Sequence, residues 1–241
     1  MENKAPADPN SSIAVRWPDL VRFIRQLSHD LRNDLNAAEL QAAFIDEITT
    51  DAELKGEVRR LREMVARMAG NLQKLSARVA QPQLHLIEYR VSEFLEDLRA
   101  KIERDFADNA AAIKWEFATD DAVLNLDPQL VQEALLELFT NAFRHRTGTQ
   151  SIVASGKIDN GRFIFTLSEE KNSFELRTEN WGREPLREAR TGHYGLGLNR
   201  VRNIIEAHGG ELRAEYDNAA AALRTTVTLP VIAKPSANVV K

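Results

Sequence analysis

The sequence predicts an α+β protein in which an N-terminal antiparallel helical hairpin is followed by a mixed α/β domain. In two consecutive segments, apolar or small residues recur at alternating intervals of three and four, which places one apolar stripe on each of two long helices. After residue 90 the pattern changes to strand-like alternation interrupted by helical segments, which predicts a helix layer on a mixed sheet. The two stripes consist of Val21, Ile24, Ser28, Leu31, Leu35, Ala38, Ala42 and Ile45, and of Leu54, Val58, Leu61, Val65, Met68, Leu72, Leu75 and Val79.

The composition is that of a globular protein and excludes several functional classes. Of 241 residues, 43% are hydrophobic and 28% are charged. The net charge of -4 argues against nucleic-acid binding through bulk positive charge. The chain has no cysteine, which excludes disulfides and thiolate metal sites. No segment approaches the roughly 18 consecutive apolar residues of a membrane span, so we expect a cytoplasmic protein without direct membrane insertion.

The hairpin is predicted over residues 13–80, after a disordered tail at residues 1–12. The connection "TTDAE" is short, and either Thr50 or Asp51 can cap the second helix. One hairpin buries only part of such a stripe, whereas two hairpins form a four-helix bundle, so we expect a homodimer. The alternative is that the stripe packs on the chain's own second domain.

The second domain is predicted over residues 91–232, between a proline-containing linker at 81–90 and a tail at 233–241. Asp127 and Pro128 are suited to the cap and first position of its central helix. The predicted helices are "VSEFLEDLRAKIERDFA", "DPQLVQEALLELFTNAFRH" and "GLNRVRNIIEAH". The predicted strands are "IKWEFA", "AVLNLD", "SIVASGKI", "RFIFTLSE", "FELRTEN", "GELRAEYD" and "ALRTTVTLPV".

A cluster of reactive side chains lies on the first helix, in "SHDLRND". His29 follows the stripe position Ser28 by one residue and is therefore expected to face solvent. A neutral imidazole is nucleophilic at pH 7, and Asp30 can orient the ring or accept its proton. Asn33 lies one turn further on the same face and can position a water. The alternative interpretation is an ordinary solvated helix face.

"SHDLRNDLN" resembles the H-box of two-component histidine kinases, S-H-[DE]-L-R-x-P-L, except that Asp34 stands in place of the family's proline. In that family the histidine is the phosphorylated residue, which implies this role for His29. The resemblance also implies, through the family's acid-x-x-[TN] signature, that Asp30 and Asn33 assist dephosphorylation of the partner. It implies a hairpin that dimerises and a second domain of the GHKL ATPase type.

"ELFTNAFRH" resembles the N-box of the same family and of the wider GHKL group. The resemblance implies that Asn141 holds Mg²⁺ between the phosphates of ATP, because an amide oxygen suits a hard cation. It further implies that Glu137 serves the metal or its waters and that Arg144 lies near the phosphates.

"GHYGLGLNRVRNIIEAHGGEL" resembles the G2 box of these proteins. Gly195 and Gly197 precede a helix, where the backbone can approach phosphates and the helix N-terminus favours negative charge. His208, near the end of this helix, is expected to be structural.

The adenine-binding motif of the family, D-x-G-x-G, is poorly matched. In "NWGRE", Asn180 replaces the aspartate, Gly182 is retained, and Glu184 replaces the second glycine. An alternative register places Glu169 of "LSEEK" in the acid position and loses both glycines. The segment 183–194 is short for an ATP lid, which normally orders the phosphates and excludes water.

The resemblance covers about residues 20–230 and implies a role in two-component signal transduction. The first hypothesis is a histidine kinase core that phosphorylates His29 from ATP and passes the phosphoryl group to an aspartate of a response-regulator receiver domain. The second is an ATP-independent histidine phosphotransferase that relays phosphoryl groups between receiver domains, which the degenerate adenine motif favours. The third is a non-catalytic binding module, either a dimeric scaffold or a regulator that sequesters a partner. It predicts loss of the motif residues at and around His29, which the sequence does not show.

Overall fold

The structure, a computed structural model, describes residues 17–119, 122–146, 151–172, 174, 178–179, 181–183 and 196–232. The chain divides into two compact units, Met1–Ala80 and Gln81–Lys241. Within the part of the chain that the structure describes, no helix combines the length and the apolarity needed to cross a membrane.

The first unit is a hairpin of two helices, α1 (Trp17–Ile48) and α2 (Ala52–Val79). Asp51 is the N-cap of α2, because its carboxylate accepts hydrogen bonds from the N–H groups of Glu53 and Leu54 at 2.8 and 3.2 Å. Arg62 of α2 joins the helices by an ion pair with Glu39 of α1, at 2.8 Å. Buried residues of the predicted stripes are Ser28, Ala42, Val58, Val65 and Val79.

Other large apolar side chains on the hairpin, including the stripe residues Leu31, Leu54, Leu61 and Met68, are 42–73% exposed in the single chain. Exposed apolar side chains of this size and number favour an interaction surface, because monomeric proteins rarely expose large apolar patches. The set comprises Phe23, Leu27, Leu31, Leu40, Phe44 and Ile48 on α1, and Leu54, Leu61, Met64 and Met68 on α2. We call these residues the exposed apolar face of the hairpin.

The second unit has a five-stranded sheet in the order β2-β4-β5-β7-β6 and a separate two-stranded sheet, β1-β3. β2 and β4 are parallel, and the other neighbours are antiparallel. The strands are β1 (Ile87–Arg90), β2 (Ile113–Ala118), β3 (Val123–Leu126), β4 (Ile152–Asp159), β5 (Arg162–Glu170), β6 (Glu211–Asp217) and β7 (Ala222–Pro230). The helices are α3 (Val91–Asp105), α4 (Ala107–Ala110), α5 (Pro128–Arg144) and α6 (Gly197–Ala207).

The core of the second unit lies between the large sheet and the helices. On β5, Phe163, Phe165 and Leu167 are buried, as expected for a strand with one face on the core. Phe139 of α5 packs on Phe165 with ring centroids 6.2 Å apart. The predicted α+β architecture, a helical N-terminus followed by a helix layer on a mixed sheet, is confirmed.

Three details differ from the sequence prediction. Residues 87–90 were expected in the linker but form β1, because they find an antiparallel partner in β3. The single turn α4 was not predicted. Of the strand predicted over 174–180, Phe174 lies outside any strand, and residues 175–177 and 180 lie outside the described residues.

Candidate functional site

His29 lies on the exposed surface of α1, as the stripe predicted, with 69% of its side chain accessible. Its Nδ1 is 3.2 Å from Oδ1 of Asp30. A carboxylate can only accept, so this hydrogen bond places the ring proton on Nδ1 and leaves the lone pair on Nε2. In this arrangement Nε2 can act as a nucleophile.

Asp30 is held by a second neighbour. Nε2 of Gln26 donates to both carboxylate oxygens, at 3.0 and 3.2 Å. The hydrogen bond with His29, followed by the bonds from Gln26, holds the pKa of Asp30 below its ordinary value of 3.8. Asp30 is therefore a carboxylate at neutral pH and acts only as an acceptor toward the imidazole.

The turn of α1 that carries His29 is fixed on its other side. Ser28 is 3% exposed, and Arg25 donates to the carbonyl oxygen of Val79 at 2.9 Å. Asn33 is exposed one turn after His29. A nucleophile on a packed helix keeps a defined direction, which a loop would not provide.

Glu137 and Asn141 lie on consecutive turns of α5, and both are half-buried. Side chains four residues apart in a helix share a face, so the two predicted ligands point the same way. Arg144, in the last turn, is exposed. Across the described ranges there is no cluster of three His, Cys, Asp or Glu side chains that could hold a metal. Asn141 and Glu137 carry oxygen atoms that could hold a hard cation such as Mg²⁺ together with phosphate oxygens of a nucleotide.

The start of α5 is fixed by Asp127, as predicted from the sequence. One carboxylate oxygen accepts from the N–H groups of Gln129 and Leu130, both at 3.1 Å, and the other accepts from the N–H of His85 at 3.0 Å. Burial alone would raise the pKa of Asp127, but these three backbone donors hold that pKa below its ordinary value of 3.8. The bond to His85 was not predicted.

His208 joins the end of α6 to the start of α5. The backbone N–H of Asp127 donates to Nε2 of His208 at 3.0 Å, and Nδ1 of His208 donates to the carbonyl oxygen of Ile204 at 2.7 Å. Both ring nitrogens of this buried histidine are thus used, which agrees with the structural role expected for it. The C-terminal end of α6 therefore lies beside the N-terminal end of α5.

Gly197 begins α6 and lies against Glu137 of α5. A Cβ on Gly197 would collide with the carboxylate of Glu137. The structure thus brings together two predicted site residues from separate motifs. Gly195 lies outside the described residues.

Gly182 packs against α6. Its φ is +74°, and a Cβ there would meet the carbonyl oxygen of Leu198 at 2.6 Å. Asn199 donates to the carbonyl oxygen of Gly182 at 3.0 Å, and Arg202 donates to that of Trp181 at 2.8 Å. This packing is sufficient to explain the glycine. Asn180, the acid-position residue in the same proposed motif, lies outside the described residues, as does most of segment 183–194.

Glu169, which the alternative register places in the acid position, lies at the end of β5 beside a buried lysine that was not predicted. Nζ of Lys171 is 2.9 Å from Oε2 of Glu169 and also donates to the carbonyl oxygen of His145. Among the described residues, no donor forms a hydrogen bond of good geometry with this Oε2, so its contact with Lys171 is an ion pair. Burial raises the pKa of Glu169, and Lys171 opposes that rise. The signal for this site was a lysine directly after a buried strand.

Comparison with known proteins gives homologues of one kind. The chain is 27% identical over 212 residues to the sensor histidine kinase ZraS of Klebsiella oxytoca, covering 85% of this chain and 45% of that protein. It is 22% identical over 218 residues to the adaptive-response sensory kinase SasA of a Synechocystis strain, covering 79% and 54%. The chain thus spans about half the length of these curated relatives. No family model matches it.

Two solved structures have a similar fold, and one of them is named as a histidine kinase. Full-length ShkA, determined in complex with AMPPNP, matches with a TM-score of 0.57 at 18% identity, covering 92% of this chain and 47% of that chain. AdeS of Acinetobacter baumannii matches with a TM-score of 0.50 at 18% identity, covering 85% and 98%. The sequence resemblance to a histidine kinase core is therefore confirmed. The homologues are sensor kinases, and the fold is similar to that of a solved histidine kinase.

Proposed function

We propose that this chain, whose homologues are sensor histidine kinases, is the kinase core of a two-component signalling protein. It transfers the γ-phosphoryl group of ATP to His29 and then to an aspartate of a response-regulator receiver domain. The observation that carries this proposal is an exposed histidine, oriented by Asp30, on the same chain as the Glu137–Gly197 site. We assign residues 13–80 to dimerisation and phosphotransfer, and residues 91–232 to nucleotide binding.

Phosphoryl transfer through His29 needs no reactant other than ATP and the receiver aspartate. The lone pair of Nε2 forms an N–P bond with the γ-phosphorus, while the bond from that phosphorus to the bridging oxygen breaks and ADP leaves with the electron pair. The imidazole becomes positively charged while Asp30 faces its Nδ1 proton, which the carboxylate can later accept. In the second transfer a receiver carboxylate oxygen attacks the phosphorus, the N–P electron pair returns to Nε2, and any proton that Asp30 has accepted returns to Nδ1, so the ring is again a neutral imidazole.

The second unit supplies positioning and charge neutralisation. Asn141 and Glu137 offer oxygen ligands on one face of α5, and the missing side chain at Gly197 lets the carboxylate of Glu137 lie against the start of α6. When bound, Mg²⁺ would neutralise charge on the phosphates. Arg144 is exposed at the end of α5 and can contact a phosphate oxygen.

The proposed partners are a second copy of the chain and a receiver domain. The exposed apolar face of the hairpin supports the second copy, since two hairpins can bury it in a four-helix bundle. A receiver would approach the exposed surface around His29 and Asn33. A cytoplasmic location belongs to the same proposal, because ATP is available there.

An ATP-independent phosphotransferase is the second candidate. It is favoured by one observation, the ion pair of Lys171 with Glu169, the residue that the alternative register places in the adenine-binding acid position. The homologues, which are sensor kinases, favour the first candidate. Both candidates use His29 as the nucleophile and differ in the phosphoryl donor.

Incubation of the purified chain with γ-labelled ATP and Mg²⁺ tests the proposal. We expect acid-labile label that His29→Ala and Asn141→Ala abolish. His85→Ala is the matched control, because His85 is also an exposed histidine, with 89% of its side chain accessible, and should leave the label unchanged. Absence of label from ATP, together with His29-dependent label from a phosphorylated receiver domain, would replace the kinase by the phosphotransferase.

A further inference from the structure

Lys171 is a buried lysine whose ammonium, backbone N–H and carbonyl oxygen all have partners among the described residues. It is 5% exposed, and its ammonium contacts Glu169 and the carbonyl oxygen of His145. Its backbone N–H donates to the carbonyl oxygen of Ala221 at 2.8 Å, and its own carbonyl oxygen accepts from the hydroxyl of Tyr216 at 2.8 Å. The position of Lys171 is therefore defined by the residue after α5, by β5 and β6, and by the residue before β7.

A lysine is rarely buried unless its charge is paired. The side chains of Lys171 and Glu169 are only 6% and 11% exposed, so separating them inside the protein would leave two uncompensated charges. The closed pair is therefore the stable arrangement as long as no other group replaces one of its members. A ligand that takes the place of the ammonium must offer Glu169 a donor of its own.

The pair lies close to the proposed nucleotide site. His145, which accepts from the ammonium, follows Asn141 by one helical turn, and its N–H donates to the carbonyl oxygen of Asn141 at 3.0 Å. In the alternative register Glu169 takes the acid position of the adenine motif and Lys171 takes the position of its first glycine. A glycine would leave the corner open, whereas a lysine fills it.

We propose that Lys171 acts as an internal ligand in place of adenine. Its ammonium pairs with the carboxylate of Glu169 and must be displaced before adenine can bind that carboxylate. This inference rests on the proposed nucleotide site. An ammonium is a charged donor and forms a stronger bond to a carboxylate than the neutral amino group of adenine does. Lys171 therefore lowers nucleotide affinity and makes phosphorylation depend on opening of the pair.

Titration of the full chain with a fluorescent ATP analogue and Mg²⁺ tests this inference. We expect Lys171→Gly to bind the analogue at least 10-fold more tightly than the parent. Lys157→Gly is the matched control, because it removes an exposed lysine and inserts a glycine in the same sheet. Unchanged or weaker binding by Lys171→Gly, or no binding by either protein, would overturn the inference.

A measurement on the parent chain keeps the test open if Lys171→Gly does not fold. Lysine acetylation followed by mass spectrometry should find Lys171 protected in the free chain and reactive at a saturating concentration of the analogue. Continued protection of Lys171 while the analogue is bound would overturn the inference.

Failure of the proposed function gives a different result. If Lys171→Gly binds the analogue more tightly but neither protein transfers label from ATP to His29, the inference holds and the kinase assignment is wrong. If the parent labels His29 and Lys171→Gly binds no better, the kinase assignment holds and the inference is wrong.

Discussion

The carboxylate of Glu137 lies where a side chain on Gly197 would have to be. The two residues come from separate sequence motifs and meet because α5 and α6 run antiparallel. His208 at the end of α6 accepts a hydrogen bond from Asp127 at the start of α5. An acidic group at the first turn of α6 also interacts favourably with the helix dipole. The contact thus links the proposed metal-binding face of α5 to the proposed phosphate-binding end of α6.

This contact predicts different results for two glycine substitutions. In Gly197→Ala the new Cβ meets the flexible end of Glu137, which can turn away, so we expect less than about 1 kcal/mol of lost stability but weaker nucleotide binding. In Gly182→Ala the Cβ meets the backbone of Leu198 at a residue with φ of +74°, so we expect a loss of about 2–4 kcal/mol. Urea unfolding followed by tryptophan fluorescence measures the stability of both variants. Equal losses of stability would contradict the contacts assigned to the two glycines.

The second prediction concerns the cap of α5. Asp127→Ala removes both the cap and the acceptor for the His85 N–H, so we expect a loss of about 2–3 kcal/mol. Asp51→Ala removes an exposed cap whose carboxylate has no further partner among the described residues, and should cost about 1 kcal/mol. Urea unfolding compares the two. A larger effect at Asp51 than at Asp127 would show that the His85 bond contributes nothing.

The third prediction is the pH dependence that Asp127 confers. Because the folded state holds its pKa below the ordinary value of 3.8, the stability it contributes is present above that value and is lost as the pH falls through the folded pKa. We expect the parent's stability to fall below about pH 5, and the fall to be shallower in Asp127→Asn, which retains a capping oxygen. Asp108→Asn, at an exposed position, is the control. Identical pH profiles for Asp127→Asn and the parent would contradict the prediction.

Sequence patterns predicted those features that depend on local chemistry. The cap at Asp127 followed by Pro128 marks a helix start through interactions within four residues, and the structure contains that helix. The position of His29 on the solvent side of α1 follows from helical geometry alone. All five strands of the large sheet that the structure describes were likewise predicted from alternation.

The features that were missed depend on contacts between distant segments. The segment 87–90 is a strand only because β3 pairs with it. Its four residues are too few for an alternating pattern to distinguish a strand from a linker. The pairing of Lys171 with Glu169 beside His145 requires the end of α5 to meet the end of β5. The favoured register for the adenine motif at Asn180 and Gly182 remains a prediction, while Glu169 at the end of a buried strand supports the alternative.

The fourth prediction is that the exposed apolar face of the hairpin holds two copies together. We expect the parent to have twice the mass of the 27.2 kDa chain in light scattering after size exclusion, because the face is buried only in a bundle. Leu31→Lys and Phe44→Glu place charges on that face and should shift the mass toward the single chain. Arg32→Glu alters an exposed neighbour outside the face and should not. A parent of single-chain mass would contradict the prediction.

The last prediction concerns which nitrogen of His29 receives the phosphoryl group. Because Asp30 accepts from Nδ1 at 3.2 Å, the lone pair is on Nε2, and we expect phosphorylation at that atom. Asp30→Ala removes the acceptor that selects this tautomer and should slow labelling by roughly 10- to 100-fold without changing nucleotide affinity. Gln26→Ala removes the other donor to Asp30 and leaves the His29 contact in place, so it should label at close to the parent rate. Phosphorus NMR of the labelled chain distinguishes the two phosphohistidine isomers, and phosphate on Nδ1 would show that Asp30 does not set the tautomer.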